Sequence, residues 1–107
     1  MILDELAEVL AARKGEDPDK SYVASLHQAG LNKILEKVGE EATETVVAGK
    51  DAADGSLKHR ENLVKEVADL WFHSMVLLSH LDLSHADVLD ELSRRFGVGG
   101  HQEKASR

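Results

Sequence analysis

Five carboxylates in two short runs carry the chemistry this chain could do. Glu40, Glu41 and Glu44 stand in K-V-G-E-E-A-T-E, and Glu66 and Asp69 in K-E-V-A-D-L. The pattern is E-E-x-x-E followed, further along, by E-x-x-D. At a spacing of three, Glu41 with Glu44 and Glu66 with Asp69 are neighbours on one face of a helix. Four carboxylates brought together from two facing helices form a knot of negative charge, costly unless a cation neutralises it. Hard oxygen donors favour Mg²⁺ or Mn²⁺ over zinc. Such ions could hold phosphate oxygens, neutralise developing charge and activate a water for attack on phosphorus. A carboxylate not used as a ligand could orient that water or accept its proton. The bland alternative is a solvated acidic face, the ordinary fate of any single glutamate. An acidic face could also dock a partner without doing chemistry.

The remaining polar residues are less specific. Lys33 and Lys37 precede the acids on the same helical side. They either hold substrate phosphates or pair with the glutamates one turn away. His73 follows Asp69 by one turn, facing the acidic stripe, as a substrate contact or as a hydrogen-bonded interface residue. Lys58-His59-Arg60 and Arg94-Arg95 are short basic clusters. Arg95 with the following G-V-G-G run could close over phosphates, although cations near a helix C-terminus are favourable without any ligand. His59, His80 and His85 have no metal-like spacing, and neither H-E-x-x-H nor the E-x-x-H of di-iron bundles occurs. P-loop, dinucleotide and nucleophile-elbow motifs are missing as well.

These residues must be positioned by helices, since no strand pattern is present. Ile2, Leu3, Leu6, Val9 and Leu10 recur at helical spacing and predict a first helix over 2–14. A loop with the single proline follows, then a short helix capped by Ser21 and closed near Gly30. A third helix starts at Leu31, with Leu31, Ile34, Leu35, Val38, Ala42 and Val46 as its buried arc and Glu41 at the border; Gly49 and the polar run after it are expected to end it. A fourth helix over 57–80 carries Leu63, Val64, Val67, Leu70, Trp71 and Met75 on one face, and Glu66, Asp69 and His73 on a polar stripe. Past Phe72 it is apolar nearly all round, which predicts a subunit interface. Ser84 and Asp87 open a last helix that buries Val88, Leu89, Leu92 and Phe96 and ends at Gly97. The tail, 98–107, is expected to be mobile or ordered only by a partner or ligand. The fold class is therefore all-α, a single domain over 1–107 of four to five helices completed by homodimerisation.

Composition narrows the partners. With 107 residues, a net charge of −7 and a pI near 5.3, the chain is a poor match for nucleic acid or an anionic membrane surface. Small phosphorylated ligands remain open because a bound metal reverses the local sign. There is no cysteine, hence no disulfide and no thiolate metal site. The acidic N-terminus lacks the features of a signal peptide, and no apolar stretch suits a bilayer, so a cytoplasmic protein is expected.

The acidic pattern resembles that of the all-α nucleoside-triphosphate pyrophosphatases, the MazG-type superfamily. Within it, four stretches resemble the phosphoribosyl-ATP pyrophosphatase family: Ser21-Tyr22-Val23 ahead of Leu26; Gly30 with Ile34; K-V-G-E-E-A-T-E ending at Glu44; and E-V-A-D-L-W-F-H from Glu66 to His73. The similarity spans Ile2 to Gly100; Trp71-Phe72 stands where other aromatic or aliphatic residues are usual. The resemblance implies hydrolysis of phosphoribosyl-ATP to phosphoribosyl-AMP and pyrophosphate, at the bond between the α and β phosphates, with Mg²⁺ and in a homodimer. By motif position Glu41, Glu44, Glu66 and Asp69 would be metal ligands, and Glu40 an extra ligand or the water-orienting base. Lys37, His73 and Arg95 are the candidate substrate contacts. The cyclohydrolase sometimes fused to this family is not expected here. A housekeeping pyrophosphatase for non-standard nucleotides is the alternative on the same scaffold, and a non-catalytic acidic helical dimer the alternative of another class.

Overall fold

A computed structural model describes residues 1–98. Five helices follow one another: α1 (Ile2–Arg13), α2 (Tyr22–Ala29), α3 (Leu31–Ala52), α4 (Leu57–His80) and α5 (His85–Val98). No strand occurs among the described residues. Each turn has a local cause. The Ser21 Oγ accepts from the Ala24 N–H at 3.1 Å and caps α2. Gly30, at φ 100° and ψ 178°, ends α2 and begins α3 in a backbone conformation open to glycine and costly for any residue with a Cβ. Between α3 and α4, Asp54 accepts from the Ser56 N–H at 2.8 Å, Gly55 takes φ 78°, and Ser56 caps α4. After α4, the Leu83 N–H reaches back to the Leu78 carbonyl at 2.8 Å and the Asp82 N–H to Ser79 at 3.1 Å. This is a Schellman closure, with Asp82 in the left-handed position at φ 61°. At α5, the Ser84 N–H donates to Asp87 Oδ2 at 2.9 Å and Ser84 Oγ accepts from Ala86, as the cap residues predicted.

The long helices α3 and α4 form an antiparallel hairpin, the most extensive helix pair in the chain. The core lies toward one end of it. Leu10 of α1, Val23 and Leu26 of α2, Ile34 of α3, and Met75 and Val76 of α4 are buried together, with Leu3, Leu6 and Phe72 packed around them. That core fixes the C-terminal half of α4 against α1 and α2, and so sets which side of α4 meets α3.

Helix α3 ends within the expected polar run, at Ala52, since one glycine at 49 does not end a helix and the positive-φ turn comes only at Gly55. Two other expectations need correction. The buried faces are rotated from those the periodicity indicated. Ile34 is fully buried as expected, yet Val46 on α3 is 72% exposed, and Val64 and Trp71 on α4 are 69% and 59% exposed. Glu41 and Ala48 on α3, and His73 and Val76 on α4, are buried in their place. Periodicity finds an apolar stripe but not which neighbour covers it. Finally, the apolar side of α5 is open within this chain: Val88, Leu89 and Leu92 are exposed, and Phe96 is 91% exposed. Of the tail at 98–107, only Val98 falls within the described residues, where it extends α5 one residue past Gly97; the rest lies outside them.

Candidate active site

The site is built where α3 and α4 face each other. Glu41 lies on the side of α3 turned toward α4 and is only 7% exposed. Glu66 and Asp69 come to it from α4. Each of the three offers a carboxylate oxygen within 4.8 Å of the other two, and they form the one such acidic or histidine group among the described residues. Thr45, one turn beyond Glu41, ties the two helices together at this level. Its Oγ1 lies 2.8 Å from the Glu41 carbonyl and 3.3 Å from the Glu66 carbonyl, sharing one proton between them.

The electrostatics are those of a site short of positive charge. Burial, then the adjacent Glu44, raises the proton affinity of the Glu41 carboxyl above the ordinary value. The Glu66 carboxyl is likewise raised, first by a hydrogen bond shared with Glu44 and then by burial. Glu44 thus sits beside both, although it falls outside the tight group of three. The buried Oε2 atoms of Glu41 and Glu66 have no hydrogen-bond partner. Orphaned carboxylate oxygens are expensive unless something donates to them or coordinates them. The donor set is all oxygen, and its spacing suits a cation bound at about 2.0–2.6 Å from each ligand. The residues present therefore fit a hard divalent ion.

The other candidates fall around this centre in different ways. Glu40 is on the solvent side, paired with Lys37 through Nζ to Oε2 at 3.1 Å. That bond keeps the Glu40 carboxyl below its usual range and Lys37 above its own. Lys33 pairs with Glu36 at 3.5 Å. His73 is 6% exposed and hydrogen-bonded at both ring nitrogens, to the Tyr22 hydroxyl and to the Asp69 carbonyl, each at 2.8 Å. Arg95 stays on α5, its Nε 3.3 Å from Glu91 Oε1. Two features escaped the sequence reading. Tyr22 approaches His73 across 51 residues of chain. His27 and His80 meet Nδ1 to Nδ1 at 2.9 Å across 53. Neither has a local spacing signal.

An all-α hairpin presenting E-E-x-x-E and E-x-x-D to each other is the architecture expected of the all-α nucleotide pyrophosphatases. Comparison with known proteins makes the class particular. Residues 3–96 match the phosphoribosyl-ATP pyrophosphohydrolase family. A phosphoribosyl-ATP pyrophosphatase of Hydrogenovibrio crunogenus is 59% identical over 106 residues, covering 99% of this chain and 92% of that protein. The chain belongs to the phosphoribosyl-ATP pyrophosphohydrolase family, whose reaction is a hydrolytic step of histidine biosynthesis.

Proposed function

We infer that this chain hydrolyses phosphoribosyl-ATP to phosphoribosyl-AMP and pyrophosphate with Mg²⁺, or Mn²⁺ in its place. One observation carries the reading. In a chain of this family, Glu41, Glu66 and Asp69 converge within 4.8 Å while two of their buried oxygens lack any partner. Glu41, Glu66 and Asp69 would hold the ion, with Glu44 as the fourth carboxylate. When bound, the ion supplies charge neutralisation for phosphate oxygens and acidifies a water at neutral pH. The chain's own groups do the rest. Glu40 would orient a water or accept its proton once Lys37 leaves it for a phosphate. Lys37, exchanging Glu40 for a phosphate oxygen, would hold the substrate's anionic end. Arg95 would do the same only on leaving Glu91. His73, with both ring nitrogens engaged, supports the site from within the protein.

The working unit is proposed to be a homodimer. The exposed Val64 and Trp71 of α4 and Leu92 and Phe96 of α5 are an apolar surface that a second copy would cover. No helix among the described residues is long and apolar enough to cross a membrane. The acidic, cysteine-free chain is proposed to act in the cytoplasm.

The test is pyrophosphate release from phosphoribosyl-ATP, alongside ATP, dCTP and dUTP, in Mg²⁺ and in EDTA. Mg²⁺-dependent release from phosphoribosyl-ATP alone is expected. Release from the other nucleotides instead would move the protein to nucleotide housekeeping. No release from any of them would leave the acids as a docking surface.

A further inference from the structure

Tyr22 has no role in the reading above, yet its surroundings are those of a designed contact. It is the first residue of α2, set by the buried Ser21 cap. Its ring stacks on Phe72 of α4, with centroids 6.4 Å apart and planes at 18°, and meets His73 edge-on at 5.8 Å. Its hydroxyl lies 2.8 Å from His73 Nε2, and His73 Nδ1 lies 2.8 Å from the Asp69 carbonyl. The direction of this chain is fixed by chemistry. A carbonyl oxygen only accepts, so Nδ1 carries a proton; in the Nδ1–H tautomer Nε2 accepts and the Tyr22 O–H donates. His73 is buried and wedged edge-on against Phe72 at 5.2 Å. The strut therefore runs from α2 through a locked ring to the peptide of Asp69, one of the three residues whose oxygens converge.

We propose that Tyr22 is a positioning residue for the acidic site: through His73 it holds the Asp69 turn of α4 in the orientation that brings Asp69 to Glu41 and Glu66. The inference rests on reading those acids as a divalent-cation site. Replacement of Tyr22 by phenylalanine keeps the ring on Phe72 but leaves a buried Nε2 without its donor. The ring then loses its tie to α2, and the Asp69 carbonyl loses the support behind it. Partners lying behind metal ligands typically change affinity by about 10–100-fold when removed.

The experiment is Mn²⁺ titration, by calorimetry and electron paramagnetic resonance, of the full chain and of Tyr22→Phe, His73→Gln and the double variant, with imidazole ¹⁵N spectra of each His73-containing protein. Wild type is expected to show the Nδ1–H tautomer. Tyr22→Phe is expected to shift the His73 Nε2 resonance toward that of a nitrogen with no donor and to bind Mn²⁺ about 10-fold more weakly with its far-ultraviolet circular dichroism unchanged. The double variant should bind no more weakly than the weaker single one, because Tyr22 acts through His73. Wild-type Mn²⁺ affinity in Tyr22→Phe, or losses that add in the double variant, would overturn the proposal while leaving the site reading intact. A wild-type chain that releases pyrophosphate yet binds no Mn²⁺ would overturn both.

Discussion

At the residue scale the candidate site is a set of carboxylates in conflict, a conflict that a bound cation would resolve. Glu41 and Glu66 each have a raised proton affinity and a buried oxygen with no partner. Glu41→Gln keeps the shape and removes the charge. It is expected to lower pyrophosphate release at least about 100-fold, as loss of a group that positions charge in the transition state does. It should also abolish the rise in thermal midpoint that saturating Mg²⁺ gives the wild type, which at 100 times the dissociation constant corresponds to about 2.7 kcal/mol. Wild-type turnover in Glu41→Gln would remove it from the site. A second prediction concerns the His27–His80 contact. Burial, then His80, then Lys14 depress the proton affinity of His27. Lys14 also bonds the Ser79 carbonyl at 2.8 Å and lies 3.7 Å from the exposed Asp82. With the folded value below the unfolded value near 6.5, the unfolded chain takes up a proton that the folded chain resists. This contribution is present above pH 6.5 and is lost as pH falls through the depressed folded value. Urea midpoints of wild type and His27→Gln, measured from pH 7.5 down to pH 5, should converge, and parallel profiles would remove His27 from the acid response.

At the element scale, the hairpin of α3 and α4 carries the converging acids, while α1 and α2 decide how they are presented. Gly30 is the joint between α2 and α3, and a Cβ there would meet nothing within 4 Å. Its requirement is thus backbone conformation rather than space. Gly30→Ala should cost about 1–3 kcal/mol through φ 100° alone, read as a lower urea midpoint with unchanged slope. A neutral result would mean the joint adopts another geometry. The carboxylates were legible at this scale because three-residue spacing makes helical neighbours whatever the tertiary fold. The partition among them was not. Glu44 and Glu41 share a motif, but only the docking of α4 buries Glu41, and only the turn at Gly55 fixes the level at which Glu66 arrives.

At the scale of the whole molecule, the radius of gyration of 16.2 Å exceeds the roughly 13 Å of a compact chain of about a hundred residues. The hairpin extends beyond its core, and its apolar flank is uncovered. Val64, Trp71 and Phe96 are each more than half exposed, and Trp71 lines an open apolar groove of about 220 Å³ with Leu3, Val88 and Leu92. Sedimentation of the wild type is expected to give twice the chain mass of 11.7 kDa. Trp71→Glu, which places a charge in that groove, should shift it to the single-chain mass at micromolar concentration. A wild type that sediments as a single chain would remove the second copy from the proposed unit.

The order of the helices, the two acidic motifs and the family can be read from sequence alone, because apolar periodicity, caps and i,i+3 spacing are local properties that survive any packing. The five helices and the Ser21 and Ser84 starts follow from them. Tertiary structure decided what is long-range: which side of α3 and α4 is inside, that Glu41 rather than Glu40 is the buried acid, and that Tyr22 and His80 find histidines on other helices. Those outcomes depend on helix rotation about the axis. Rotation is set by the competition among all apolar side chains for one small core, a sum over the whole chain that no window of sequence contains.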